Sequence, residues 1–261
     1  MRRSSGLCKR ERVSRAEYRR LLSQAYDIDK PDAPADELSY YRTLVDAAPG
    51  PVLEAMCGSG RFLIPLLRAG VDIDGIDASP DMLRACSEKC SKLGLSTSLE
   101  LQRLEALAPQ RRYGLIFCGG GSFGLIADLG DVASALRRAH DALEPGGCLV
   151  FEVETAAVAM RPGVWRGRWW RRSDGALIVA RDLSGGIRDD VEEALGIYEL
   201  YVDGALVETE LNEWVRRFWT ASKIAAAVQQ ADFETTRVTD AFGSEPATDD
   251  STMISVTARR S

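Results

Sequence analysis

Two carboxylates and two glycines carry the most specific chemical signal in this chain. Glu54 lies in the run V52-L-E-A-M-C-G-S-G-R61, which ends in Gly58 and Gly60 and passes into F62-L-I-P-L-L-R68. Asp77 closes a second, alternating run, V71-D-I-D-G-I-D77. Apolar residues entering closely spaced glycines describe a strand turning sharply into a helix, the place where an α/β sheet offers bare backbone N–H groups to a ligand. One glycine lets the chain turn and the other lets the ligand approach the backbone. Leu63 stands where the third glycine of a pyrophosphate-binding fingerprint would fall, and the charge of Glu54 would repel a phosphate. The pattern therefore favours a ligand without pyrophosphate, with an amine drawn to Glu54. Asp77, one helix and one strand after Gly60, suits the two hydroxyls of a ribose.

Composition narrows the classes around that turn. The 261 residues are 45% hydrophobic and 28% charged, enough for a buried core without staples. A net charge of -6 argues against a nucleic-acid groove as the main surface. Cys8, Cys57, Cys86, Cys90, Cys118 and Cys148 contain no C-x-x-C pair and mostly sit in apolar runs, which reads as a reducing cytosol; with a single histidine, no metal centre is expected. The basic start M1-R-R-S-S-G-L-C-K-R10 lacks the apolar run of a signal peptide, and no segment has the apolar length to span a bilayer.

The elements that must position these residues follow from periodicity and punctuation. Ser14 and Glu17 can form a capping box for a helix bearing Tyr18, Leu21, Leu22 and Ala25, and a second helix follows Asp36. After A48-P-G-P51 the chain alternates: strands near 52–57, 71–77, 97–102, 113–118 and 148–154, with helices at 61–69, from Ser79-Pro80 to Gly94, and from Leu129 to Leu143. The bare segment G119-G-G-S-F123 after the fourth strand is a ligand wall or an inexpensive turn. Residues 160–217 break the alternation with two hairpins turning at Asp174-Gly175 and Asp203-Gly204, an insertion rather than a separate domain. A helix after Thr220 and two β segments, F233–T239 and M253–A258, close a mostly parallel sheet with helices on both faces.

The residues E54-A-M-C-G-S-G-R61, I76-D-A-S-P-D-M-L83, Y113-G-L-I-F-C-G-G-G-S-F123 and L143-E-P-G-G-C-L-V-F151 resemble the successive motifs of class I S-adenosylmethionine-dependent methyltransferases, closely over residues 40–154 and more loosely at the terminal helix and strands. The resemblance implies a doubly wound α/β fold whose seven-stranded sheet ends in an antiparallel strand. It also implies a helical lid at 1–50, a methyltransferase domain at 51–261, and an antiparallel insertion at 160–217 that shapes the acceptor pocket. The cofactor would be S-adenosylmethionine, leaving as S-adenosylhomocysteine. Cys57, Gly58, Ser59 and Gly60 would border its methionine part with Glu54 at the amino group, Asp77 would hold the ribose, and Ala78 and Met82 would pack on adenine. Where members commonly carry an acidic adenine contact this chain has Gln102 or Arg103, with Glu105 two residues late, so adenine recognition would rely on backbone groups near Leu104; Gly119 and Gly120 would lie at the reacting end.

For the acceptor, a small molecule methylated on nitrogen or oxygen, the candidates are Tyr18, Tyr26, Ser122, Phe123, Trp165, Trp169 and Arg171. Candidate proton acceptors are Tyr18, Tyr26, His140 and Glu154. The expected setting is cytoplasmic, as a monomer or homodimer, with no nucleic-acid, membrane or metal partner. Two alternatives stay open: a methyltransferase-like protein that binds without catalysis, and a nicotinamide-dependent oxidoreductase.

Overall fold

Strand β1 (Val52–Ala55) is buried along its whole length, as a central strand of a parallel sheet must be. In the computed structural model, which describes residues 18–248 and 250–261, it is joined by β2 (Ile73–Asp77), β3 (Leu99–Leu101), β4 (Tyr113–Cys118), β5 (Leu143–Glu154), β10 (Thr235–Asp240) and β11 (Met253–Arg259). The strand order is β10-β11-β5-β4-β1-β2-β3. Neighbours from β5 to β3 pair in parallel, and β11 runs antiparallel to both β5 and β10. The sheet is thus seven-stranded with one reversed strand, as expected.

Each face carries its own apolar layer. On one side Val132 and Leu136 of α5 (Leu129–Ala142) and Ile224 and Val228 of α6 (Ala221–Gln229) cover Phe151 and Val256. On the other, Leu63 and Leu66 of α3 (Leu63–Arg68), Cys86 of α4 (Pro80–Lys92) and Tyr41 of α2 (Ala35–Ala47) cover Phe117 and Val150. The start of α4 follows its sequence signal: Ser79 Oγ accepts from Met82 N–H, and Pro80 occupies the first turn.

The insertion forms a separate antiparallel sheet of β6 (Trp165–Arg171), β7 (Leu177–Arg188), β8 (Val191–Val202) and β9 (Ala205–Arg217), in that order. Two of its turns are the expected Asp-Gly pairs. The third, between β7 and β8, is made by Asp189 and Asp190 at φ 52° and 64°. Aspartate tolerates this left-handed backbone better than most side chains, but without a glycine the turn has no strong sequence signature. A second difference is at β5, which starts at Leu143 and carries an irregularity in register before Leu115 pairs with Cys148.

Helix α1 (Arg20–Asp29) joins the two sheets. It has no side-chain cap of its own; instead Glu210 of β9 accepts from Leu21 N–H at 2.9 Å and Leu22 N–H at 3.3 Å. At the other end Asp27 accepts from Ser59 Oγ in the glycine turn and from Lys89 Nζ of α4 at 2.8 Å. The expected capping box of Ser14 and Glu17 lies outside the described residues. Replacing Glu210 with alanine should cost about 1 kcal/mol of local stability and speed amide exchange at Leu21 and Leu22 while strand amides of the seven-stranded sheet keep their protection. Native-state hydrogen exchange measures both.

Candidate functional site

At the carboxyl ends of β1, β2 and β4 the chain leaves a cleft of about 330 Å³. Asp77 organises one wall. Its Oδ2 accepts from Gly58 N–H and its Oδ1 from Ser79 N–H, both at 2.8 Å, so one carboxylate fixes the glycine turn and the entry to α4 together. Burial pushes its pKa up, and those N–H groups, that of Ala78, and nearby Arg103 oppose the rise. Ala78, Met82 and Leu104 give the adjoining wall an apolar surface, edged by Gln102, Arg103 and Glu105.

Glu54 is 3% exposed and faces the same cleft. Burial drives its pKa well above the usual carboxylate range, assisted by Cys86 and opposed by Arg61. Its Oε2 is buried without a hydrogen-bond partner among the described residues, and so is Arg61 Nε. Arg61 lies over the Phe62 ring at 4.6 Å with its Nη2 3.6 Å from Glu37. A Cβ on Gly120, whose φ is +66°, would stand 2.7 Å from Arg61 Nη2, so the bare loop after β4 is what admits the guanidinium.

Several residues expected at this cleft line it: Glu54, Cys57, Gly58, Asp77, Ala78, Met82, Arg103, Leu104, Gly119 and Gly120. Ser59 and Gly60 stand behind it. Ser59 is 2% exposed and bonded to Asp27. Gly60 sits at φ +87°, where a Cβ would meet Cys86 Sγ at 2.7 Å, so this glycine serves helix packing rather than ligand approach. Lys30, Met56, Arg61 and Asp128 also line the cleft without having been singled out in the sequence. Arg61 ends the glycine run itself and was the most legible of them.

A larger cavity of about 750 Å³ opens beside the first, and the two share Tyr18, Tyr26, Lys30, Gly120, Ser122 and Leu125. The tyrosines meet edge to face with centroids 6.0 Å apart. Its far walls come from the insertion, including Arg166, Arg168, Trp170, Asp182, Asn212, Trp214 and Arg216.

This arrangement corrects several sequence expectations. Trp165 and Trp169 are 48% and 64% exposed on the outer face of β6, while Arg166, Arg168 and Trp170 face the cavity. Arg171 shares the outer face and bonds to Gly175 O at 3.1 Å. Strand alternation was readable here, but the inward face was not. Phe123 is fully buried and stacks on Phe151 with centroids 4.1 Å apart, so it is core rather than cavity wall. His140 packs edge to face on Phe233 at 5.2 Å and lines neither space. Burial pushes the phenols of Tyr18 and Tyr26 up, away from a proton-acceptor role near neutral pH. Glu154 does face the larger cavity, ion-paired with Arg216, which also holds Glu192 at 2.8 Å.

Beneath the glycine loop, Glu152 is fully buried, accepting from the Tyr41 hydroxyl and from Gly120 N–H at 3.1 Å. Burial pushes its pKa up to about 8 against those two hydrogen bonds.

Residues 52–147 match a family model described as a methyltransferase domain. Among curated proteins the chain is similar to a putative methyltransferase, YqeM, of Bacillus subtilis, 24% identical over 135 residues that cover 52% of this chain and 55% of that one. It is also similar to a ubiquinone biosynthesis O-methyltransferase of Methylococcus capsulatus, 30% identical over 97 residues, covering 36% and 39%. The match to YqeM spans about half the length of that relative. Among solved structures, the sugar N-methyltransferase KedS8 of Streptoalloteichus superposes with a TM-score of 0.74 at 19% identity, covering 100% of both chains. An S-adenosylmethionine-dependent methyltransferase of Clostridium acetobutylicum superposes with a TM-score of 0.73 at 16% identity, covering 91% of this chain and 97% of that one. At such identities these superpositions establish the fold.

The buried carboxyl of Glu152 sets a pH dependence. Its folded pKa of about 8 lies above its ordinary value of 4.5, so the folded state binds more protons between these limits and stability falls as pH rises through that window. Glu152→Gln should flatten this slope. Urea midpoints taken near the two ends of the window should differ less in the variant than in the parent.

Proposed function

We propose that this chain, whose residues 52–147 match a methyltransferase-domain family model, is a class I S-adenosylmethionine-dependent methyltransferase that transfers a methyl group from S-adenosylmethionine to a nitrogen or oxygen of a small-molecule acceptor. The observation that carries the cofactor assignment is the pair of orphaned groups at the glycine turn. Glu54 Oε2 and Arg61 Nε, one from an acidic and one from a basic side chain, are buried and without hydrogen-bond partners among the described residues. An amino-acid terminus presents an ammonium and a carboxylate, the complement of that pair. Asp77 offers its carboxylate to ribose hydroxyls in addition to its backbone contacts, and Met82, Leu104 and Ala78 offer an apolar slot for a flat base. The residues present therefore fit the cofactor.

Bound there, S-adenosylmethionine supplies an electrophilic methyl group on a sulfonium. The chain's own contribution is alignment and exclusion of water at the junction of the two cavities. Tyr18 and Tyr26 stand at that junction with their phenols kept protonated by burial, able to donate hydrogen bonds and to face a cation with their rings. Helix α1, with Tyr26 and the adjoining Lys30, acts as the lid of the cofactor cleft, α2 packs on the sheet beneath it, and the insertion, residues 160–217, walls the acceptor side. Glu154 is the carboxylate nearest in role to a proton acceptor, but its pairing with Arg216 lowers its availability. An amine that arrives neutral needs no such base, so we favour nitrogen as the acceptor atom. The fold likeness to a sugar N-methyltransferase supports that preference.

Calorimetry with S-adenosylhomocysteine tests the reading. Saturable binding is expected, weakened at least about tenfold by Asp77→Ala, the order of one or two hydrogen bonds to a charged group. Because an ammonium draws Glu54 towards its charged form, binding should also release a proton, seen as a dependence of the heat on the buffer's ionisation enthalpy, and Glu54→Gln should remove that dependence. A folded parent protein that binds neither S-adenosylhomocysteine nor S-adenosylmethionine would refute the assignment.

A further inference from the structure

The inner face of the four-stranded sheet holds a polar row that the transfer reaction does not use. Arg166, Asp182, Gly196 and Asn212 stand side by side in register on β6, β7, β8 and β9. All but Gly196 line the larger cavity. Asp182 is 8% exposed, and its ion-pair partner among the described residues is Arg168 Nη2 at 3.8 Å, beyond hydrogen-bond length. A Cβ on Gly196 would stand 2.9 Å from Asp182 Oδ1 and 3.1 Å from the Tyr198 ring. The glycine therefore lets the carboxylate lean over β8 towards β9, where Asn212 is next in the row.

Asn212 brings a second acceptor to the row. The side chain is 4% exposed, and its Nδ2 donates to Glu210 at 3.0 Å. A carboxylate can only accept from the NH2 group, so this bond settles the amide orientation and leaves Oδ1 as the open atom. Oδ1 is buried with no partner among the described residues. Glu210 is itself held by the first turn of α1, so the amide is not free to rotate away. An unmet buried acceptor is costly, and Asp182 and Asn212 line the cavity on either side of the glycine. An anionic group would meet Asp182, and an apolar one would leave both acceptors unmet.

We propose that Asp182 and Asn212, set across Gly196, form a subsite that takes a paired hydrogen-bond donor of the acceptor molecule, either neighbouring hydroxyls or an ammonium, and so selects the acceptor at a distance from the reacting atom. The inference rests on the reading of the larger cavity as the acceptor side.

The test is a titration followed by protein NMR, run with and without saturating S-adenosylhomocysteine. The probes are methyl β-D-glucopyranoside for hydroxyls, cyclohexylamine for an ammonium, glucosamine for both, and cyclohexanecarboxylate as the anionic control. At least one donor probe should bind saturably. Its affinity should fall about tenfold or more in Asp182→Ala and in Asn212→Leu, while S-adenosylhomocysteine affinity stays at the parent value. Gly196→Ala, which displaces the carboxylate without removing it, should act in the same direction. If the hydroxyl probe alone responds, the group is a polyol edge; if cyclohexylamine alone responds, it is an ammonium, and both results support the subsite. Failure of every donor probe to bind the parent protein, affinity unchanged in both variants, or carboxylate binding as tight as amine binding would overturn it. Loss of S-adenosylhomocysteine binding in the parent would instead strike the methyltransferase reading, since the titration without that ligand still reports on the subsite.

Discussion

One half-buried carboxylate, that of Asp77, holds the backbone N–H of Gly58 and the backbone N–H of Ser79 at the same time. The bonds tie the turn after β1 to the turn after β2, and everything lining the smaller cleft is placed relative to those two turns. Strand order makes this possible, because β1 and β2 pair in parallel with Ala55 beside Ile76. Without an acceptor, the glycine turn would present unmet N–H groups in a site from which water is partly excluded. The same carboxylate keeps lone pairs for a ligand, so the residue that shapes the cleft is also one that can read its occupant.

The second sheet depends on a different set of charges. Arg216 reaches from β9 to Glu154 at the end of β5 and to Glu192 on β8. Glu192 in turn accepts from Ser184 Oγ at 2.8 Å and Met160 N–H at 3.0 Å. The insertion is therefore locked to the end of β5 that borders the larger cavity, and α1 closes the remaining edge through Glu210 at one end and Asp27 at the other. The larger cavity is what remains between a sheet end, a sheet face and a bridging helix. Its polar row lies on the wall contributed by the insertion, outside residues 52–147.

The seven-stranded sheet was legible because its signals are local and redundant. Glycine turns, the Ser79-Pro80 cap and uninterrupted apolar runs each mark a boundary by their own chemistry. The cofactor-side candidates share that advantage, since Glu54, Gly58 and Asp77 sit at strand ends that the pattern itself defines. The insertion was readable only in outline. Alternation along β6 is plain, but which face meets the cavity depends on where α1 and β5 lie, so the sequence points to Trp165 and Trp169 where Arg166, Arg168 and Trp170 face inward. Phe123 differs from expectation for a related reason: its place beside the bare loop is local, whereas its stacking on Phe151 is a long-range contact. Asn212 and Asp182 could not be singled out at all, because their meaning comes from cross-strand register with Gly196.

The central claim is that the glycine turn between Glu54, Arg61 and Asp77 holds the amino-acid and ribose parts of an adenosyl cofactor. A crystal structure of the chain grown with S-adenosylhomocysteine tests it most directly. The account predicts the ligand's ammonium on Glu54 Oε2, its carboxylate at Arg61, its ribose hydroxyls on Asp77, and its sulfur turned towards the junction lined by Tyr18 and Tyr26. A ligand bound in the reverse sense, or seated outside this cleft with Glu54 and Arg61 still unpartnered, would contradict it.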